Sequence, residues 1–349
     1  MGTTITRISD SDSLAGTATR IALREHGTFD TLSAVRTGSG NLKLIGWRTG
    51  DTTSRLADSD SQAGAVSEIA LAPAVGLDVT AVRAGNGKLK LISWSTGNRL
   101  DSIVRQADSG DQAGEATLIT AKSIGGVSSA DVVTPVRTAA GSLKLISWNV
   151  TNFGGATITR LGDSGNQAGG VSLIAASVDQ DIIVTAVRTD SGNLKLIAWR
   201  ISPDGTAIER RGDSGDQAGE VSEIAMTDTV TAVRAGDGTL KVIAWHVSPD
   251  GSTITRVGDS GSQAGAATNI AIARFTPTRY LTAVRTASGT LKLIAFDVNG
   301  GAVTRTGDSD NQAGAVSEVT LVSSSEARAV TAVRDGSGNL KIINWEVQG

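Results

Sequence analysis

Three polar residue types return together seven times along this chain, joined in six copies by a fourth, and as a set they have the chemistry to grip an anion or a sugar. An Arg closes each A-V-R element, at Arg36, Arg83, Arg137, Arg188, Arg234, Arg285 and Arg334. A Lys follows in the next apolar run, at Lys43, Lys90, Lys144, Lys195, Lys241, Lys292 and Lys341. An Asp opens each D-S-x-x-Q-A-G element, at Asp10, Asp58, Asp108, Asp163, Asp213, Asp259 and Asp308. The Gln of that element stands at Gln62, Gln112, Gln167, Gln217, Gln263 and Gln312, with Leu14 in its place in the first copy. A guanidinium is a planar fork of donors, a carboxylate accepts, and a carboxamide does both. Repeated equivalent sites for a glycan or a small polar ligand follow from that set. The competing reading is a brace: Asp ties down backbone N–H groups, and Arg or Lys balances its charge.

A second repeated pair sits further along each unit. Trp47, Trp94, Trp148, Trp199, Trp245 and Trp345 end one apolar run, with Phe296 in the sixth position. The Arg of an I-T-R-like element comes soon after, at Arg7, Arg55, Arg105, Arg160, Arg210, Arg256 and Arg305. On adjacent antiparallel strands these two would stack as a cation–π pair. The indoles either stack on the face of a sugar or wedge between packed layers as the large fillers of an aromatic-poor core.

Catalysis calls for an asymmetric constellation, so it belongs in residues that break the repeat. His26 and His246 are the two histidines, four repeats apart, and both read as solvated loop residues. His26 lies in the irregular stretch Arg24-Glu25-His26-Gly27-Thr28-Phe29-Asp30. Tyr280, with Phe275 and Arg279, marks another irregular loop. One repeated position varies as Arg20, Glu68, Leu118, Leu173, Glu223, Asn269 and Glu318. Its carboxylates offer an acid and a base, as a lyase or hydrolase would need. Asp58-Ser59-Asp60-Ser61 and Asp308-Ser309-Asp310-Asn311 look like the opening of a calcium loop. The other copies put Gly in the third position, and no bidentate Glu follows at the required spacing. An Asp that caps backbone N–H groups of a turn explains all seven copies, so no metal or other cofactor is expected.

The elements that must position these side chains follow from the repeat itself. The seven Asp recur at intervals of about fifty residues, the period of propellers and solenoids. Each unit holds four short apolar or alternating runs separated by Gly, Asn, Asp or Ser. In the fifth unit the strands are expected over 221–226, 229–234, 239–247 and 253–258. Ala235-Gly236-Asp237-Gly238 and Ser248-Pro249-Asp250-Gly251 are the turns between them. The first run, 3–9, matches a fourth strand, and the last unit stops after its third, at Trp345-Glu346-Val347. The N-terminal strand therefore closes the last unit. Pro135 in a strand paired on both sides demands a bulge, or an N–H free at that register in every unit.

In this pattern the chain resembles the seven-bladed β-propeller superfamily, with the closure seen in WD-repeat proteins. Its motifs match none of the WD, Kelch, Asp-box or FG-GAP signatures. The resemblance implies an all-β fold over residues 1–349 as a single domain, with four antiparallel strands per blade.

Composition bounds the rest. Formal net charge is −3, and the three repeated basic sets hold most of the 32 Lys and Arg, so no nucleic-acid partner is inferred. No apolar run is long enough to span a bilayer, and no signal-peptide pattern is visible. The chain has no Cys, which removes disulfides and thiolate chemistry. The favoured reading is non-catalytic binding through a multivalent, lectin-like propeller. The alternatives are a protein-interaction scaffold with purely structural repeats, and an enzyme using the central channel.

Overall fold

The structure, a computed structural model, describes residues 2–12, 14–60, 62–125, 129–310, 312–325 and 327–349. Ser61 and Asn311, which close the two calcium-like stretches, lie outside them. Strands alternate with turns throughout, and no helix occurs among the described residues. Seven antiparallel sheets form the ring of a seven-bladed β-propeller. In blade 5 the strands are Val221–Thr227, Val230–Ala235, Leu240–Val247 and Ile254–Asp259, ordered from the channel outward. The expected boundaries agree within a residue or two.

Closure is as the ends of the chain implied. The strand Thr4–Asp10 pairs antiparallel with Leu340–Gln348, setting Ile5 against Val347 and Arg7 against Trp345. It is the outermost strand of blade 7, whose inner strands are Val316–Ser325 and Arg328–Asp335. Ile5 is buried with Trp345 and Val347.

Two faces result. The turns between second and third strands, and the crossings to the next blade, lie on what we call the upper face. The other turns lie on the lower face. A Gly stands at each upper turn, and Gly238 shows why: its φ is +84, and an added Cβ would sit 3.1 Å from Nη2 of Arg234, which folds back across the turn.

A bulge recurs in all seven blades. Pairing between third and outermost strands slips by one residue beside the Trp or Phe, as between Ala244–Gly258 and Trp245–Arg256, which leaves Val257 unpaired. Residues three apart on a regular strand face opposite sides. The extra residue restores the phase and brings Arg256 and Asp259 onto one side.

Blade 3 departs from the pattern at Pro135. Its innermost strand breaks into Ala116–Ile119 and Lys122–Ser123, which pair with Val132–Thr138 on either side of the gap. Thr120 N donates to Pro135 O at 3.0 Å, so residue 135 faces the innermost strand, where the missing N–H is felt. The proline thus interrupts the neighbouring strand; the bulge and the free N–H expected from the sequence are both replaced by this break.

Candidate functional site

At the upper face the repeated side chains bond to one another and to backbone. Asp213 Oδ1 accepts from Gly215 N at 2.7 Å, and Oδ2 pairs with Arg210. The same two bonds recur in every blade, from Asp10 with Arg7 to Asp308 with Arg305. The partner of the Asp is therefore the Arg of the I-T-R element. Sequence reasoning stacked that Arg on the Trp of the adjacent strand; past the bulge it reaches the Asp instead. Asp213, although burial pushes the other way, is held below the usual carboxylate range by Gly215 N–H, Arg210 and Lys195. Lys43, Lys90, Lys144, Lys292 and Lys341 stand 3.5 to 3.9 Å from the same carboxylates.

The Gln acts as a detached peptide unit. Gln112 Oε1 accepts from Arg160 N at 2.8 Å, and its Nε2 donates to Ile158 O at 3.1 Å. These are groups on the free edge of an outermost strand, so the carboxamide extends the ladder by one rung. Gln62, Gln167, Gln217 and Gln312 do the same for Arg105, Arg210, Arg256 and Arg7. Gln263 accepts from Arg305 N. This role was missed in the sequence, where a polar residue in a crossing carries no mark of the strand it will reach.

Four of the A-V-R arginines, Arg36, Arg137, Arg188 and Arg285, stitch blades together; Nε of Arg83, Arg234 and Arg334 is buried with no acceptor among the described residues. Arg36 Nε donates to Val66 O at 2.7 Å and Nη1 to Thr19 at 2.8 Å. Arg188 does likewise with Val221 O and Ser172. Arg83 Nη1 reaches Ser67 at 3.0 Å. Of the proposed ligand-gripping set, Arg36, Lys43, Asp58, Gln62, Arg83, Lys90, Asp108, Gln112, Arg188, Asp213 and Gln217 all have partners within the scaffold. Lys195 contributes its charge to Asp213 and has no direct ion pair among the described residues.

The six tryptophans are between 0% and 3% exposed. Each Nε1 donates to a second-strand hydroxyl at 2.9 to 3.0 Å: Trp47 to Ser33, Trp94 to Thr80, Trp148 to Thr134, Trp199 to Thr185, Trp245 to Thr231 and Trp345 to Thr331. Trp245 packs among Ile182, Val184 and Leu196 of the preceding blade, and Trp47 among Val330, Leu340 and Ile342. The sugar-stacking reading of these six residues is corrected: no indole face is open to a ligand. They are inter-blade wedges.

The variable position in the channel also links blades. Glu318 Oε1 accepts from Ile21 N at 2.7 Å, Glu223 Oε2 from Ile270 N at 3.1 Å, and Glu68 pairs with Arg20 at 3.0 Å. Burial pushes Glu318 and Glu223 above the usual carboxylate range. Below them the channel opens into a cavity of about 650 Å³, lined by Arg24, Lys122, Met226, Arg274 and Phe275 among others. Desolvation lowers the Lys122 ammonium, opposed by Asp228. Among the described residues, no three His, Asp or Glu side chains converge as metal ligands.

The residues that break the repeat gather on the lower face. His26 is not a free loop side chain: Nε2 is 3.0 Å from Thr96 Oγ1, which donates to buried Asp78 at 2.9 Å, and Asp78 pairs with Arg24. Burial and Arg24 lower the His26 imidazolium. His246 is exposed. Tyr280 is buried, and burial together with Asp228 raises its hydroxyl. A second opening, of about 630 Å³, lies where blades 7, 1 and 2 meet, between Phe29, Arg48, Arg99 and Arg328.

Comparison with known proteins adds the fold alone. No family model matches the chain, and no curated protein matches it. Among solved structures, a chain of the mitotic checkpoint complex is similar with a TM-score of 0.60 at 11% identity, covering 99% of this chain and 95% of that one. The computationally designed Ika8 protein is similar with a TM-score of 0.51 at 15% identity, covering 97% of this chain and 99% of that one. Among the described residues, no helix is long and apolar enough to cross a membrane.

Proposed function

We propose that the protein is a non-catalytic interaction scaffold that receives a protein partner on its lower face. The observation that carries this reading is the commitment of the repeated polar side chains to each other. A ring of equivalent ligand sites needs donors and acceptors left over, and the upper face has few. Its carboxamides cap strand edges, its carboxylates hold an Arg and a turn N–H, and four of its seven A-V-R guanidinia hold carbonyls of the next blade, while Arg83, Arg234 and Arg334 keep a buried Nε with no acceptor among the described residues. The lower face carries the irregular loops and the exposed side chains Phe29 and Phe153. A similar chain belongs to an assembly, the mitotic checkpoint complex, which is in keeping with a partner.

Multivalent carbohydrate recognition is the competing reading, and the Lys ammonium groups are what the upper face retains for it. A lyase or hydrolase in the channel is the third; there Glu318 and Glu223 already accept from backbone N–H groups. One experiment separates them. The protein is used as bait in extract of its source, alongside a variant with residues 24–30 replaced by a short Gly-Asn turn and an Arg188→Ala, Lys195→Ala variant. The scaffold reading expects partners lost by the loop replacement and kept by the double change. Binding on a glycan array that the double change weakens would establish the lectin reading in its place.

A further inference from the structure

We infer that the opening between blades 7, 1 and 2 is a docking pocket for a carboxylate-bearing, acidic peptide segment. The inference rests on the scaffold reading and names the chemistry of the partner.

Three arginines from three different blades converge there: Arg48, Arg99 and Arg328. None belongs to the three repeated basic sets, although Arg48 with Asp30 repeats the brace that Arg200 makes with Asp181. Their engagement is unequal. Arg48 Nε donates to Asp30 at 3.3 Å. Arg99 is exposed and pairs with no described residue. Arg328 is 18% exposed, donates from Nη2 to Asp51 at 3.1 Å, and keeps Nη1 buried with no acceptor among the described residues.

Arg328 holds the key to the ligand class. Its Nη1 is buried beyond a ligand's reach, so the nitrogen it offers outward is Nη2, which a carboxylate binds by a charge-assisted bond. The single acceptor, Asp51, is 90% exposed. An ion pair with so exposed a member is worth little and is easily exchanged. Asp51 therefore stands where a partner carboxylate would bind, and a partner that reaches Nη2 displaces it at small cost. Arg99 adds a second, uncommitted positive charge. The half-exposed ring of Phe29 supplies an apolar surface beside them. The complementary segment is an acidic residue or two next to an aromatic or aliphatic one.

The test uses the full chain and a fluorescein-labelled peptide, Gly-Ser-Asp-Glu-Asp-Phe-Gly-Ser, with Gly-Ser-Asn-Gln-Asn-Phe-Gly-Ser as its amide twin. Fluorescence anisotropy is read at low and at physiological salt. The acidic peptide is expected to bind about tenfold more tightly than the twin, with the difference shrinking as salt rises. Arg328→Ala removes the Nη2 donor and its charge, and should weaken binding about fivefold or more. Asp51→Ala removes the internal competitor and should strengthen binding about threefold. Melting curves confirm that both variants are folded. Equal binding of the two peptides, no binding at all, or indifference to both substitutions overturns the inference. If partner capture still depends on residues 24–30 in that event, the scaffold reading stands and only the acidic pocket falls. If capture is lost as well, both fall.

Discussion

Leu14 offers Arg55 only its backbone carbonyl, 3.0 Å from Nη1, where the other six blades offer a carboxamide as well. The edge of the strand Thr53–Asp58 thus lacks the rung that Gln112 supplies to Thr157–Asp163. Leu14 is also 50% exposed, so its replacement gives up little apolar burial. Leu14→Gln should stabilise the protein by about 0.5–1.5 kcal/mol, the net value of a hydrogen bond or two. Gln112→Leu should cost a similar amount. Chemical denaturation of the pair reads both signs, and a destabilised Leu14→Gln variant would show that the carboxamide is not what holds the edge.

The indole bonds make a second expectation. Trp245→Phe removes the donor to Thr231 and leaves a buried hydroxyl short of a partner, which costs about 1–3 kcal/mol with the lost packing added. Blade 6 already carries Phe296, and Thr282 Oγ1 there keeps only the bond to Ile294 O, at 3.4 Å, the equivalent of the one that Thr134 and Thr185 make beside their Trp partners. Acrylamide should quench the six tryptophans weakly, and no added sugar should change that. Strong quenching, or protection by a sugar, would reopen the stacking reading.

The architecture was legible because hydrophobic periodicity and turn chemistry act locally, and the repeat printed the same signal seven times. The site was legible only in part, for a physical reason in each case. Arg256 and Asp259 were separable in the sequence and are partners in space, because one bulged residue, Val257, shifts the phase of the strand. Gln217 looked like a free donor, yet it reaches Arg256 and Ile254 thirty-nine and thirty-seven residues on. Trp199 could be a wedge or a platform until the preceding blade was placed against it. Arg99 and Arg328 carried no signal at all, since they meet only through ring closure.

Glu318 gives a pH dependence with a definite sign. Its folded value is raised by burial, reinforced by Glu68 and opposed by Ile21 N–H, Arg20 and Arg334. A raised carboxyl contributes stability below its unfolded value, and that contribution is lost as pH rises through the folded one. Glu318→Gln keeps the acceptor for Ile21 N and removes the buried charge. The variant should melt higher than the wild type near pH 7 and lose that advantage near pH 4. Asp213 has the opposite sign: its value is held low, so its contribution is present above the unfolded value and falls away in acid. Asp213→Asn should therefore cost about 1 kcal/mol near pH 7 and less near pH 3. Parallel curves for either variant and the wild type across that range would refute the assignment.

The ring is held shut by non-covalent bonds between the two ends of the chain, and this sets the most demanding test. Thr4–Asp10 completes the ladder of Leu340–Gln348, and Ser11 adds two more bonds to Ile342, at 2.9 Å each. Gln312 grips Arg7 N and Ile5 O from the crossing before blade 7. Ile5 adds burial worth about 1.5–3 kcal/mol. Removing residues 2–10 should leave the edge of Leu340–Gln348 bare, with Trp345 uncovered beside it. A bare strand edge pairs with other chains. The truncated protein is expected to melt lower and to form oligomers in light scattering, and a synthetic peptide of residues 2–12 should reverse both effects by refilling the place. Ladder bonds and the Ile5 contact are all that such a peptide can restore, so rescue isolates the clasp from any general loss of chain. A truncated protein that stays monomeric and melts with the wild type would mean that the seven blades hold their ring without it.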